Sequence, residues 1–193
     1  MGRVVVTEFV SLDGVMEAPG GEPGYAHSGW VGRVPDGGHF AYKLEEVLEA
    51  EAHLLGRVTY ESFAGAWPDR DDEAGFAAKV NAMPKYVVSS TLDSVEWNNS
   101  HLLEGDVAEA VQRLKEWVGG IILVAGSRTL VHHLMQHGLV DELRLMVFPV
   151  VLGSGMRLFP EARDAMSLEL VDTQTFDSGV VVLTYRPAAP SAG

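Results

Sequence analysis

Short apolar runs alternate along this chain with segments whose apolar positions recur every three or four residues. The first kind fits buried or half-buried strands, the second amphipathic helices. Strands are predicted near residues 3–10, 52–55, 85–89, 121–125, 141–148, 168–176 and 180–186. Helices are predicted near 39–50, 59–64, 73–82, 106–117 and 127–137. Such alternation specifies an α/β domain. The last two strands meet around Asp177-Ser178-Gly179, a turn sequence suited to a hairpin. The sheet should therefore be mixed, with an antiparallel C-terminal edge. One domain is expected over 1–186, with 187–193, small and Pro-rich, as a flexible tail.

One segment breaks the alternation. Residues Val15 to Gly38 hold seven Gly and three Pro, interrupted by Tyr25, His27 and Trp30. Long loops in compact domains are commonly functional, and aromatics need something to cover, so a lid is expected. The competing expectation is that Trp30 packs on the core or on a second subunit.

Composition narrows the class. The chain has 193 residues, 47% of them hydrophobic, enough for one domain with a sizeable core. It has no cysteine, which excludes a disulfide framework and thiolate chemistry. No secretory signal pattern and no membrane-length apolar run occurs, so a cytoplasmic protein is expected. A net charge of −13 argues against general nucleic-acid binding, which relies on Lys and Arg.

Candidate chemistry collects where strands end. Ala52 to Gly56 is an apolar run that leads through Arg57 and Thr59 into a helix carrying Tyr60 and Phe63. A helix start offers free N–H groups and the positive end of its dipole, and arginine adds a fork shaped for phosphate. A second run ends in Ser89, Ser90 and Thr91. A third ends in Ala125, Gly126 and Ser127, with Thr129 and Leu130 opening the next helix. Ligands of open α/β sheets bind beyond the carboxyl ends of strands. Three such ends bearing hydroxyls, an Arg and a small-residue turn suit a dinucleotide, although neither GxGxxG nor a P-loop occurs.

The order of these pieces resembles the dihydrofolate reductase-like superfamily. The nearest branch is that of the reductase domain of bifunctional riboflavin-biosynthesis enzymes. Val4 to Gly14 is similar to that branch's first strand and its Ser-Leu-Asp-Gly turn, and Phe148 to Phe159 resembles a late hallmark of it. The resemblance spans roughly residues 3 to 186. It implies a three-layer sandwich, with a mostly parallel sheet, an antiparallel C-terminal hairpin and helices on both faces. It also implies NADPH as cofactor, bound by Val10, Gly56, Arg57, Thr59, Ser89, Ser90, Thr91, Ala125, Gly126, Ser127, Thr129 and Leu130. A small-molecule substrate would meet Glu8, Trp30, Gly153 and Gly155. Asp13 is the catalytic candidate, as a general acid whose pKa burial would have to raise. The competing reading of Asp-Gly is a plain turn.

Departures from the family pattern bear on the substrate. The helix after the first loop has no carboxylate before Glu45 and Glu46, which read with Glu49 as a solvated face. Folate reduction is therefore not expected. The deaminase that accompanies riboflavin-type reductases cannot be here, because its zinc site needs cysteine. His132, His133 and His137 read as exposed helix residues, and no metal site is expected. The leading expectation is an NADPH-dependent reductase of a small heterocyclic or carbonyl substrate. The alternatives are a non-catalytic nucleotide-binding or ligand-binding homo-oligomer with the same fold, and a flavin-binding variant. A homodimer is expected from the family analogy and from the long apolar run Leu143 to Leu152.

Overall fold

The computed structural model describes residues 1–159 and 165–188. Of the expected tail, residues 189–193 lie outside the described residues, while Pro187 still closes a strand. Among the described residues there are eight strands in one mixed sheet and five α-helices, an α/β architecture as expected from the alternation. Two compact units interleave along the chain, Met1–Val6 with Ala41–Val140, and Thr7–Phe40 with the chain from Asp141 onward.

In the first unit, β2 (Ala50–Gly56) runs parallel to both β3 (Lys85–Val88) and β5 (Ile121–Ala125). β4 (Ser100–Leu103) is parallel to β3, and the order is β4-β3-β2-β5-β1, where β1 is Arg3–Ser11. The helices are α1 (His39–Glu49), α2 (Arg57–Ala66), α3 (Phe76–Ala82), α4 (Val107–Trp117) and α5 (Arg128–Gln136). β4 was not anticipated. Four residues, Ser-His-Leu-Leu, carry too little alternation to register, and their pairing on a parallel neighbour is invisible in a local pattern. α2 starts at Arg57 rather than Thr59 because Gly56, with φ −79° and ψ 158°, already holds the N-cap conformation.

Val5, Val47, Leu55, Tyr60, Val80, Val87, Trp97 and Leu123 form the core of this unit. Each large apolar side chain buried contributes about 1.5–3 kcal/mol. Tyr60, Asn81, Lys85 and Trp97 form a connected polar knot beside it. The Tyr60 hydroxyl accepts from the backbone N–H of Glu96 and Trp97, both at 3.0 Å. The Trp97 indole donates to Asn81 Oδ1 at 2.8 Å. Lys85, fully buried, donates to the carbonyls of Asn81, Met83 and Asn98 at 2.8, 2.9 and 2.8 Å. Its ammonium lies 4.3 Å from the Trp97 ring centroid, and burial pushes its pKa down to about 8. Three carbonyl acceptors are what a buried ammonium requires.

Two surface expectations fail in this unit. Glu46 is buried rather than solvated, because Lys43 meets it at 2.7 Å one turn earlier and turns it inward beside Val47. His132 is also buried, between Val131 and Leu134 on the packed face of α5.

The second unit holds the rest of β1 with β6 (Glu142–Phe148), β8 (Val181–Pro187) and β7 (Leu168–Thr175), in the order β1-β6-β8-β7. β8 is antiparallel to both neighbours. The expected hairpin turn closes through Phe176 N–H to Val180 O at 2.9 Å, with Gly179 at φ 82°. Phe148 is the hub of this unit, with Phe9, Trp30 and His39 edge-on to it at 5.6, 5.4 and 5.4 Å. Glu142 is buried between Arg144 at 2.8 Å and Arg186 at 3.1 Å. Among the described residues, no helix is long and apolar enough to cross a membrane.

His53 carries a consequence for pH. It is buried on β2, and neither ring nitrogen has a hydrogen-bond partner among the described residues. Burial, reinforced by Lys85, Lys43 and Lys79, lowers its pKa from 6.5 to about 3. The unfolded chain therefore takes up a proton below pH 6.5 that the folded chain refuses until about pH 3. The stability this group contributes is present above pH 6.5 and lost as pH falls. His53→Leu is expected to unfold like the wild type at pH 7.5 and to be about 2 kcal/mol more stable than it at pH 5. Urea titrations at the two pH values measure this, and an equal difference at both would contradict it.

Candidate functional site

In the first unit the candidate residues gather at the carboxyl ends of β3, β2 and β5. Gly56, the last residue of β2, is in register with Val88, so Ser89, Ser90 and Thr91 continue from the neighbouring strand end. Ser89 Oγ accepts from the N–H groups of Thr91 and Leu92 at 3.1 and 3.0 Å. This hydroxyl turn is closed by its own side chain.

On the other side, the end of β5 is tied directly to β2 and α2. Ser127 Oγ accepts the Gly56 N–H at 2.8 Å, and Thr59 Oγ1 accepts the Ser127 N–H at 2.8 Å. Gly126 and Ser127 both take left-handed backbone, at φ 61° and 57°. A Cβ on Gly126 would stand 3.0 Å from Thr59 Oγ1, so glycine is needed for both backbone and space. Neither α2 nor α5 has a side-chain cap, and neither has an acidic residue in its first turn. Their first-turn N–H groups have no intrahelical acceptor, and both dipoles present their positive ends here. Thr129 is exposed at the start of α5. Leu130 is buried, so a ligand could meet only its backbone. Arg57 pairs with Glu61 at 2.8 Å, with both side chains nearly half exposed. Such a pair is worth about 0–1 kcal/mol and yields readily to a better anion.

In the second unit Asp13 ties two turns together. Its Oδ1 accepts from Ser11 Oγ at 2.7 Å and from Leu152 N–H at 3.1 Å, and its Oδ2 accepts from Gly153 N–H at 2.8 Å. Arg157 Nε donates to the Asp13 carbonyl at 3.0 Å. Backbone bonds from Leu12 to Val150, Met16 to Met156 and Leu158 to Gly14 complete the junction. Tyr25 donates its hydroxyl proton to Ser154 O at 2.6 Å. Gly155, at φ 117°, lies against Tyr25, where a Cβ would stand 2.8 Å from its oxygen.

Burial pushes the Asp13 carboxyl up, but the bonds from Ser11, Leu152 and Gly153 outweigh it and bring the pKa down to about 2. Asp13 therefore carries no proton to donate at neutral pH. The raised pKa required of a general acid is replaced by an ionised tie between turns. Trp30 is fully buried, with its indole donating to Glu17 O at 2.8 Å. It is the core residue of the competing expectation, and a 3-10 turn, Trp30–Arg33, fixes it. Glu8 and Val10 are buried on β1. Ser11, Glu17 and Arg157 belong to this junction and were not singled out, and Tyr25, read only as a loop aromatic, joins them. Their partners lie up to 144 residues away in the chain, a pairing with no local signature.

With this geometry in hand, comparison with known proteins identifies a family and relatives that share the fold. Residues 3–182 match the RibD C-terminal domain family, and the chain belongs to that family. It is 33% identical to the uncharacterized protein YyaP of Bacillus subtilis (strain 168), over 95% of this chain and 94% of that protein. The fold is shared with a candidate riboflavin biosynthesis protein from Shewanella sp. PV-4, at a TM-score of 0.73 and 20% identity. That similarity covers 97% of this chain and 99% of the other. It is also shared with a diaminohydroxyphosphoribosylaminopyrimidine deaminase/5-amino-6-(5-phosphoribosylamino)uracil reductase from Thermotoga maritima. There the TM-score is 0.67 and identity 16%, over 97% of this chain and 57% of the other.

The Asp13 tie predicts an acid dependence. A carboxyl held at about 2, against an ordinary 3.8, adds stability above pH 3.8 that disappears as pH falls through 2. Asp13→Asn should destabilise the protein by about 1–2 kcal/mol at pH 7. The gap between variant and wild type should close on the way to pH 2. Equal stability of the two proteins at pH 7 would remove the structural role.

Proposed function

We propose that this member of the RibD C-terminal domain family is a cytoplasmic NADPH-dependent reductase. Its acceptor would be a small heterocyclic or carbonyl compound, of the riboflavin-pathway or pterin type. The observation that carries the reading is the pairing of two uncapped helix N-termini, α2 and α5, at adjacent strand ends. First-turn N–H groups and dipoles of this kind hold phosphate oxygens. Arg57 would leave Glu61 for a phosphate, as a fork-shaped donor. Ser90 and Thr91, exposed on the neighbouring turn, would take the additional phosphate that distinguishes NADPH from NADH. A protein of net charge −13 thereby gains a local positive spot for a polyanion. The bound cofactor would supply the hydride, so the chain's task is to hold and orient it. Calorimetric titration tests this. NADPH should bind tightly and NADH weakly, and Arg57→Ala should lose about tenfold in NADPH affinity. Binding of neither nucleotide would favour a ligand-binding protein without the chemistry.

The same reading includes a homodimer. The apolar run that first suggested it is mostly buried in the single chain, as at Leu143, Met146 and Phe148, and its end at Val151 is well exposed. The edge strand β7 supports it instead. Leu170 and Val171 are 50% and 39% exposed there, and Leu170 stands in register with half-buried Tyr185. An unpaired, partly apolar edge invites a second strand. Sedimentation velocity at micromolar concentration should show a dimer and Leu170→Lys a monomer. A monomeric wild type would overturn the assembly.

A further inference from the structure

We infer that Ser127 and Thr59 are positioning residues, a reciprocal lock that sets the start of α2 against the start of α5. Each hydroxyl oxygen accepts a backbone N–H from the other's turn. Ser127 takes the Gly56 N–H and Thr59 takes the Ser127 N–H, both at 2.8 Å across about 70 residues of chain. The two N–H groups consumed belong to the N-cap residues of the two helices. The lock therefore fastens both helix starts without engaging the remaining first-turn N–H groups, which have no intrahelical acceptor.

Three further observations fit a built device rather than a chance contact. Ser127 holds left-handed backbone, φ 57° and ψ 42°, where a residue with a side chain is strained. Serine stands at a position that would suit glycine, and its hydroxyl is what glycine lacks. Gly126 precedes it, also left-handed, and lets Thr59 approach within a distance no Cβ would tolerate comfortably. Ser127 Oγ also lies 3.4 Å from Ala125 O, at its own strand end. Resemblance alone would class both residues as phosphate ligands. The geometry makes Ser127 act through Gly56 and α2, and Thr59 act through Ser127.

That the locked turns receive a phosphate rests on the reductase reading; the lock itself does not. The test uses the full chain without ligand first. Amide exchange followed by NMR should show the Gly56 N–H exchanging at least tenfold faster in Ser127→Ala. The Ser127 N–H should do so in Thr59→Val, and Thr59→Ser should restore the wild-type rate. Ser127→Gly should melt below the wild type, although relief of a left-handed residue alone would raise its melting temperature. NADPH affinity should fall about tenfold in Ser127→Ala and Thr59→Val and return in Thr59→Ser. Unchanged exchange at Gly56 and Ser127, or a higher melting temperature for Ser127→Gly, would overturn the lock. Faster exchange with unaltered NADPH affinity would overturn its positioning role. A wild type that binds no NADPH would remove the reductase reading and leave the exchange rates to decide the lock.

Discussion

A backbone N–H at the end of a strand has lost its ladder partner and cannot be buried without another acceptor. That constraint organises both units. At the end of β1, the Leu12 N–H goes to a carbonyl, the Val15 N–H to Ser11, and the Asp13 carboxylate gathers those of Leu152 and Gly153. At the end of β2, the Gly56 N–H goes to Ser127. At the end of β3, Ser89 closes its own turn. The side chains chosen are short, oxygen-bearing and close to the backbone, because only such groups reach an N–H two to four residues away or across a turn. The same short polar groups are the ones that a search for catalysis or phosphate binding selects.

This overlap explains how far the sequence could be read. Strand and helix positions followed from periodicity, since burial imposes periods of two and 3.6 on any chain that folds this way. The departures came where the period is too short or the decisive contact is distant. β4 has four residues, Glu46 is turned inward by Lys43, and Trp30 is drawn into the core by Phe148. The strand-end hydroxyls were legible as a group because three ends carried them in order. Their individual roles were not, since Thr59 and Ser127 meet across 68 residues. Asp13 was legible as important and misassigned in protonation. A turn aspartate differs from a general acid only in how many N–H groups point at it, and two of those come from 139 and 140 residues away.

The electrostatics follow a similar division. In the second unit two carboxylates face donors, Asp13 among N–H groups and Glu142 between two guanidinium groups. In the first unit the buried titratable groups are basic or paired. Lys85 rests on carbonyls, His53 stays neutral, and Glu46 is matched by Lys43. At the strand ends of that unit the helix starts bring oriented backbone N–H groups together with Arg57 and Arg128, the first residues of α2 and α5. Backbone dipoles cannot be titrated or screened away as readily as a mobile side chain. An acidic protein can hold a polyanion on such a site without surrendering its net negative charge.

A hydroxyl at a strand end can serve as acceptor to the fold and as donor to a ligand, since it has one proton and two lone pairs. The two jobs are not equivalent in consequence. Loss of the donor role removes one contact, whereas loss of the acceptor role frees an N–H and lets the turn it held move. In the first unit the acceptor role is occupied at both Thr59 and Ser127 before any ligand arrives. The proposed binding surface would thus be a property of two helices held in register, and the side chains that hold them need not touch a ligand.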